Sequence, residues 1–454
     1  MFINRQRELG FLRDRKKRKG PELIIIYGKR RVGKTELVKQ FFKDIPHVYF
    51  LADKTSEHDQ LKDFSERIAL FYKDDFLASR GFGSWGECLA YLGKKGPLVL
   101  AIDEFPYLIE SNPAVPSLFQ KGWDEHLAYG ETILILLGSS IGMMETEVLG
   151  HKSPLFGRRT GQLLVDPLSF AEAHQFFPRL SQQEFMPVFA TLGGMPAYLK
   201  KFDPRRSFWK NVREQLLQPE AYLFAEPEFI LREELREPRN YFSILRAMSQ
   251  GKTRVSEIIN ETGFDKSLVG KYLSVLLDLR IIRREIPITE KIPEKSKKGL
   301  YFLSDPFFRF WFKFVFPNKS FIEEGDSAYV LKHKLKPDFD LFVSQVFEDV
   351  CRDLVRSGTF GKKKYSRVGR WWTKDAEIDV VAIDDESGVM LFGEAKWSTK
   401  KVGIDILEDL QRKAALVDWN NKTRQEHFVL FSRSGFTDGL TSCARKEKVI
   451  LYSF

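Results

Sequence analysis

Cysteine is scarce in this chain, with three in 454 residues: Cys88, Cys351 and Cys443. They are scattered and have no metal-ligand spacing, which excludes a disulfide-stapled scaffold and a cysteine zinc site. A reduced, cytoplasmic setting is the expectation. Histidine is also thin, at seven residues, and none stands in an HExxH or HxxxH pair. Long apolar runs are missing. The densest, Phe307 to Phe316, is broken by Arg309 and Lys313 and is too short to span a bilayer. It reads as a buried helix, and no membrane partner is expected. The opening MFINRQREL carries charge rather than an apolar stretch, so no secretory signal is expected. Internal repeats and low-complexity tracts are absent as well.

What is present is the mixture of a soluble globular protein: 43% hydrophobic and 30% charged residues, with 40 phenylalanines to fill cores. The length predicts two to four domains. A net charge of +10 fits a polyanion partner, with nucleic acid first among them.

Residues 1–165 alternate short apolar runs with helical patterns. The runs are Leu23–Tyr27, His47–Leu51, Leu98–Ile102 and Thr132–Gly138. Strands spaced by helices predict βαβ units and a parallel sheet, hence an α/β fold. Residues 166–240 read as helices, a helical lid. Residues 241–315 predict three helices and a β-hairpin, the plan of a winged helix-turn-helix. Its third helix, Lys266–Leu279, would present Lys266, Ser267 and Lys271 to DNA, with Arg280, Arg283 and Arg284 behind. The wing would add Lys291, Lys295, Lys297 and Lys298 as phosphate contacts. Residues 316–335 are mixed and polar, a linker. Residues 336–454 alternate again: a helix near Phe342–Val355, strands near Glu377–Ile383 and Val389–Lys396, a helix Ile404–Val417 and a last pair of strands.

Gly28-Lys29-Arg30-Arg31-Val32-Gly33-Lys34-Thr35 matches GxxxxGK[ST], between a strand and a helix. Glycines there let backbone N–H groups wrap a phosphate, and the helix start adds its positive end. Lys34 would reach the β- and γ-phosphates of ATP, and the Thr35 hydroxyl would ligate Mg²⁺. Gly28, Arg31, Gly33 and Glu36 complete the expected nucleotide cradle. Leu98–Glu104 is a buried strand ending in two acids. Asp103 would hold the Mg²⁺ through water, and Glu104 would orient the attacking water.

In the last region Asp379 precedes Glu394-x-Lys396. Glu394 and Lys396 are two apart on a strand and so share a face. This pattern resembles restriction-like PD-(D/E)xK nucleases. There Asp379 and Glu394 would hold Mg²⁺ or Mn²⁺, and Lys396 would polarise the attacking water. Glu348 on the preceding helix fits the extra acid of that fold, and Gln411 a supporting position. Trp371 and Trp372, beside Arg367 and Arg370, would stack on bases, belong to the core or make a domain contact.

Taken with its opening Phe2–Leu9, the GKRRVGKT and LVLAIDEF segments, Leu134–Ser140, Leu155–Thr160 and Gly193–Pro196, the chain resembles archaeal-type ATPases of the AAA+/STAND group that carry a C-terminal nuclease-type domain. The resemblance implies that the opening segment packs near the adenine. It implies that Ser139 or Ser140 senses the γ-phosphate, and that Arg158 or Arg159 answers the nucleotide state in cis or from a neighbour in a homo-oligomer. Gly194-Met195-Pro196 would set the lid over the nucleotide. The function expected is an ATP-regulated DNA nuclease. The alternatives are a STAND-type switch with an inactive nuclease domain and a translocating motor.

Overall fold

Six consecutive residues, Glu22–Tyr27, form β1 and are all buried. That follows from the run Leu-Ile-Ile-Ile, which is apolar on both pleat faces and therefore suits a strand covered on both sides. The structure is a computed structural model and describes residues 2–235, 237–358 and 364–454. It divides into two units. One comprises residues 1–167 with 195–197, the other residues 168–194 with 198–454.

In the first unit β1 is joined by β2 (Val48–Leu51), β3 (Val99–Asp103), β4 (Ile133–Gly138) and β5 (Gly161–Leu164). The order is β2-β3-β4-β1-β5, and every pairing is parallel. All strand C-termini therefore meet at one edge, where ligands of open α/β sheets sit. Leu23, Ile25 and Tyr27 pack with Phe64, Trp85 and Phe119 in one core cluster. Ile24 and Ile26 are equally buried on the opposite pleat face. The expected strands are all present. β5 was not foreseen: Gly-Gln-Leu-Leu lacks the β-branched run that marks a strand.

The second unit begins with helices, as expected for residues 166–240. Helices Pro238–Ser249, Val255–Thr262 and Lys266–Asp278 follow, then the antiparallel pair β6 (Ile282–Glu285) and β7 (Leu300–Leu303). Asp265 caps the third helix by accepting from the N–H groups of Ser267 and Leu268. The aromatic stretch is a buried helix, with Phe307, Phe310, Trp311 and Phe312 at 0% exposure. Residues 316–335, expected to be a linker, are instead a chain of short helices with Ile322, Val330 and Leu335 buried. Those three apolar anchors were outvoted by the polar average of the stretch.

The long helix Lys336–Arg356 leads into β8 (Arg367–Trp372), β9 (Glu377–Asp384), β10 (Val389–Lys396), β11 (Gln425–Ser432) and β12 (Ile450–Ser453). The order is β12-β11-β10-β9-β8. β8, β9 and β10 form an antiparallel meander, and β10, β11 and β12 run parallel. Helices Ile404–Ala414 and Asp438–Glu447 make the two crossovers that parallel pairing requires. Among the described residues no helix is long and apolar enough to cross a membrane.

Candidate functional site

The first constellation lies at the C-terminal edge of the parallel sheet. Gly28 leaves β1 at φ 154°, and a β-carbon there would stand 2.4 Å from the Val165 carbonyl oxygen, so only glycine fits. Arg31 (φ 68°) and Gly33 (φ 97°) also take the left-handed region, curling the loop into a cradle. The helix Lys34–Phe42 starts from Gly33. Lys34 is buried and donates from Nζ to the Gly28 and Lys29 carbonyls at 2.8 and 3.1 Å, so its ammonium sits within the loop. Glu36 is exposed in the first helical turn.

Thr35 Oγ1 donates to Asp103 Oδ2 at 2.6 Å, joining the P-loop to the end of β3. Asp103 is 1% exposed and also accepts from Tyr49 Oη at 2.7 Å. Burial and the Asp103 charge raise the Tyr49 phenol well above its ordinary range, so it stays a donor. A hydroxyl beside a buried carboxylate is the hard oxygen set that Mg²⁺ takes. Glu104 adopts φ 54°, a left-handed conformation unusual for a glutamate, just past β3. Its Oε2 accepts from Ser139 Oγ at 2.7 Å and Ser139 N at 3.3 Å. Because β4 lies between β1 and β3, Ser139 at its end is set between the phosphate loop and the acids.

Sequence reading missed one neighbour of this edge, Tyr49. Arg5, in the opening segment, is 6% exposed and donates to the Val32 carbonyl at 3.1 Å, so that segment touches the P-loop. Pro196 also lies beside the loop, its Cγ 4.0 Å from where a β-carbon on Gly33 would be. Arg158 and Arg159 lie elsewhere. Arg158 pairs with Asp124 at 3.1 Å, and Arg159 donates to the Leu149 carbonyl at 3.4 Å. Both precede β5, whose first residue Gly161 pairs with Ile24, whereas the P-loop follows Tyr27. At about 3.3 Å per strand residue the separation along the sheet is roughly 15 Å. The register thus sets Arg159 nearer the start of β5 than its end, and its side chain bonds the Leu149 carbonyl.

The second constellation is in the C-terminal sheet. Glu348, Glu377 and Asp379 each offer a carboxylate oxygen, and these lie within 4.8 Å of one another. Asp379 is 9% exposed; its Oδ2 accepts from Ala395 N at 3.0 Å, and Arg352 donates to its carbonyl at 2.7 Å. Burial and then the Asp379 charge push Glu348 up to about 8. The same two causes raise Glu394, which is 6% exposed with Oε2 buried and without a hydrogen-bond partner. Crowded, partly dehydrated carboxylates of this kind suit a hard divalent cation. Lys396 Nζ meets Glu394 Oε1 at 2.6 Å. Burial opposes its charge, but Glu394 outweighs burial and holds the ammonium protonated.

Two sequence expectations move here. Gln411 bonds Glu447 at 2.9 Å, away from the acids; the residue of that helix that does reach Glu394 is Lys413, at 3.7 Å. Glu377, at the start of β9, joins the acids, although the sequence marks it only as one of the acids on that strand. Trp371 and Trp372 are 4% and 7% exposed, so the core reading holds over free base stacking.

In the winged region Lys266, Ser267 and Lys271 are exposed, while Val269, Tyr272, Leu273 and Leu276 are buried. Arg283, expected behind the recognition helix as a DNA contact, is engaged by acids of this chain. It meets Asp349 at 2.7 Å and Glu285 at 2.7 Å. Arg309 (3.1 Å) and Arg352 complete a cluster of three guanidiniums on Asp349. Arg284 bonds the Ser296 and Pro293 carbonyls, bracing the wing. Lys291, Lys295, Lys297 and Lys298 remain exposed.

Three stretches of the chain match models of known families. Residues 2–202 match the model described as an ATPase domain predominantly from Archaea. Residues 242–284 match that of bacterial regulatory proteins of the arsR family, a helix-turn-helix, and residues 311–409 a family of archaeal and bacterial proteins of unknown function. The Walker-type ATPase PABY2304 of Pyrococcus abyssi shares the fold: TM-score 0.52 and 22% identity, covering 68% of this chain and 96% of that one. The uncharacterized ATP-binding protein MJ0423 of Methanocaldococcus jannaschii is 50% identical over 44 residues, 10% of this chain and 75% of its own. The uncharacterized protein MJECL04 of the same organism is 37% identical over 422 residues, 92% of each chain. With identity sustained over that length, the chain belongs to the family of MJECL04, with an ATPase domain of predominantly archaeal type at its N-terminal end.

Proposed function

We propose that the chain is an ATPase whose nucleotide cycle governs a metal-dependent DNA nuclease in its C-terminal region. The proposed modules are residues 1–165, the ATPase core; 166–240, a helical lid; 241–315, a DNA-binding winged helix; and 336–454, a PD-(D/E)xK nuclease-like domain. Residues 316–335 connect the last two as short helices.

In the core, Gly28, Arg31, Gly33, Lys34 and the first-turn backbone at Glu36 bind the phosphates. Thr35 and Asp103 hold Mg²⁺, which would offset phosphate charge. Glu104 orients the attacking water, and Ser139, which holds the Glu104 carboxylate at 2.7 Å, ties that base to the nucleotide state. Arg159 acts from a neighbouring copy in a homo-oligomer.

The observation that carries the nuclease reading is the meeting of Glu348, Glu377 and Asp379 within 4.8 Å, with Glu394 and Lys396 beside them. Glu348, Asp379 and Glu394 would hold the divalent cation, which supplies charge for a phosphodiester transition state. The Lys396 ammonium orients the water whose oxygen bonds to phosphorus as the P–O bond to the leaving sugar oxygen breaks. A second reading, an ATP-switched regulator whose C-terminal domain only binds, is favoured by one observation: Lys396 and Lys413 both engage Glu394.

The test joins two assays. Lys34→Ala is expected to abolish phosphate release from ATP; turnover equal to the parent refutes the P-loop assignment. Plasmid DNA with Mn²⁺ is expected to be nicked by the wild type and not by Asp379→Ala. No cleavage by the wild type moves the reading to the regulator, with the ATPase standing.

A further inference from the structure

Between the winged helix and the C-terminal sheet, within the second unit, lies a cleft of about 480 Å³. Ten residues line it. Four are cationic (Arg254, Lys297, Lys298 and Lys374), none is acidic, and Trp372 is among the remainder. All four cationic residues are exposed. The nearby acids cancel only part of this charge: Glu290 pairs with Lys298 at 2.6 Å, Asp375 follows Lys374 in sequence, and Glu257 accepts from the Arg254 backbone N–H.

The cleft is held by bonds from both sides. Ile288 N donates to the Arg370 carbonyl at 3.0 Å, and Arg367 donates to the Ile288 carbonyl at 2.9 Å. Arg370 stands 3.7 Å from Glu285 and also pairs with Glu377. The wing is thereby fixed to β8. The lining residue Trp372 pairs across the β8–β9 ladder with Glu377, one of the three converging carboxylates. Cross-strand partners stand about 4.5–5.5 Å apart, so the basic cleft and the acids are neighbours.

We propose that this cleft seats the sugar-phosphate backbone of DNA beside the acidic cluster, guiding the strand from the winged helix to the carboxylates. This rests on the nuclease reading for what happens next, but the binding stands by itself. A cleft walled by cations without carboxylates takes a polyanion, and a bound strand releases counterions from each phosphate it contacts. The acids alone would repel the same strand. The cleft supplies the attraction that brings DNA to them, and the wing lysines contribute to the nuclease site rather than to groove recognition.

The test is a salt series of fluorescence anisotropy on a labelled duplex, with the full-length wild type and Lys297→Ala/Lys298→Ala/Lys374→Ala. Removing three phosphate contacts should flatten the log K against log salt slope by about 2–3 and weaken binding at least about tenfold at 0.15 M salt. ATP turnover should be unchanged, and Lys→Arg at the same three positions should restore the slope. An unchanged slope, or a loss not rescued by arginine, overturns the proposal. So does full loss of binding in Lys266→Ala/Lys271→Ala with none in the cleft variant. A flattened slope in a protein that never cleaves DNA supports the cleft and sinks only the nuclease reading.

Discussion

Divalent-cation binding at the C-terminal acids should depend steeply on pH. Glu348, raised to about 8 by burial and the Asp379 charge, is protonated in the metal-free fold at neutral pH. A cation must displace that proton, since it ligates the carboxylate form. For one displaced proton the apparent affinity falls up to tenfold per pH unit below about 8. From pH 8 to pH 6 that is roughly fiftyfold, or about 2.3 kcal/mol. Stability of the metal-free fold runs the opposite way. Between the ordinary 4.5 and about 8 the folded chain keeps a proton that the unfolded chain has lost, so metal-free stability falls as pH rises through that window. Added Mn²⁺ should therefore raise the melting temperature more at pH 8 than at pH 6. Titration calorimetry with Mn²⁺ in two buffers of different ionisation enthalpy measures both the affinity and the released proton. Glu348→Gln should lose the proton release. An affinity independent of pH from 6 to 8, with no proton released by the wild type, refutes the reasoning.

Gly28→Ala should cut ATP turnover about a hundredfold or more. Its β-carbon would stand 2.4 Å from the Val165 carbonyl oxygen, and a shift of about 1 Å in a positioning group costs that much. Steady-state phosphate release decides it, and near-parental turnover contradicts the cradle. Asp349→Ala strands Arg283, Arg309 and Arg352, which meet on that carboxylate. Uncompensated buried charge costs about 3–5 kcal/mol, and Asp349 keeps 22% side-chain exposure, which favours the lower figure. Calorimetry should show the transition of the second unit fall by about 6–12 °C; a change under about 2 °C would mean that the cluster holds little.

The parallel core was legible because Leu23–Tyr27, Leu98–Ile102 and Thr132–Gly138 are apolar on both pleat faces, a pattern few other environments accept. The P-loop was legible because its glycines and lysine are tied to fixed offsets by backbone geometry. β5 and β8 were not, since Gly-Gln-Leu-Leu and Arg-Val-Gly-Arg-Trp-Trp show neither alternation nor a β-branched run. In the C-terminal region Asp379, Glu394 and Lys396 were found by spacing within strands. The third carboxylate, Glu377, and the second lysine, Lys413, came from register and helix rotation, which a linear pattern does not contain. Arg283 was misplaced for a like reason. Its partner Asp349 is 66 residues further along the chain, and a basic residue near a recognition helix is counted toward DNA until that partner is seen.

The coupling between the two ends of the chain is the centre of the account. Its most direct test is DNA cleavage in Mn²⁺ by the wild type and by Lys34→Ala, each with and without ATP. ATP is expected to change the wild-type rate and to leave the Lys34→Ala rate at its ATP-free value. Equal cleavage by both proteins under both conditions would contradict it.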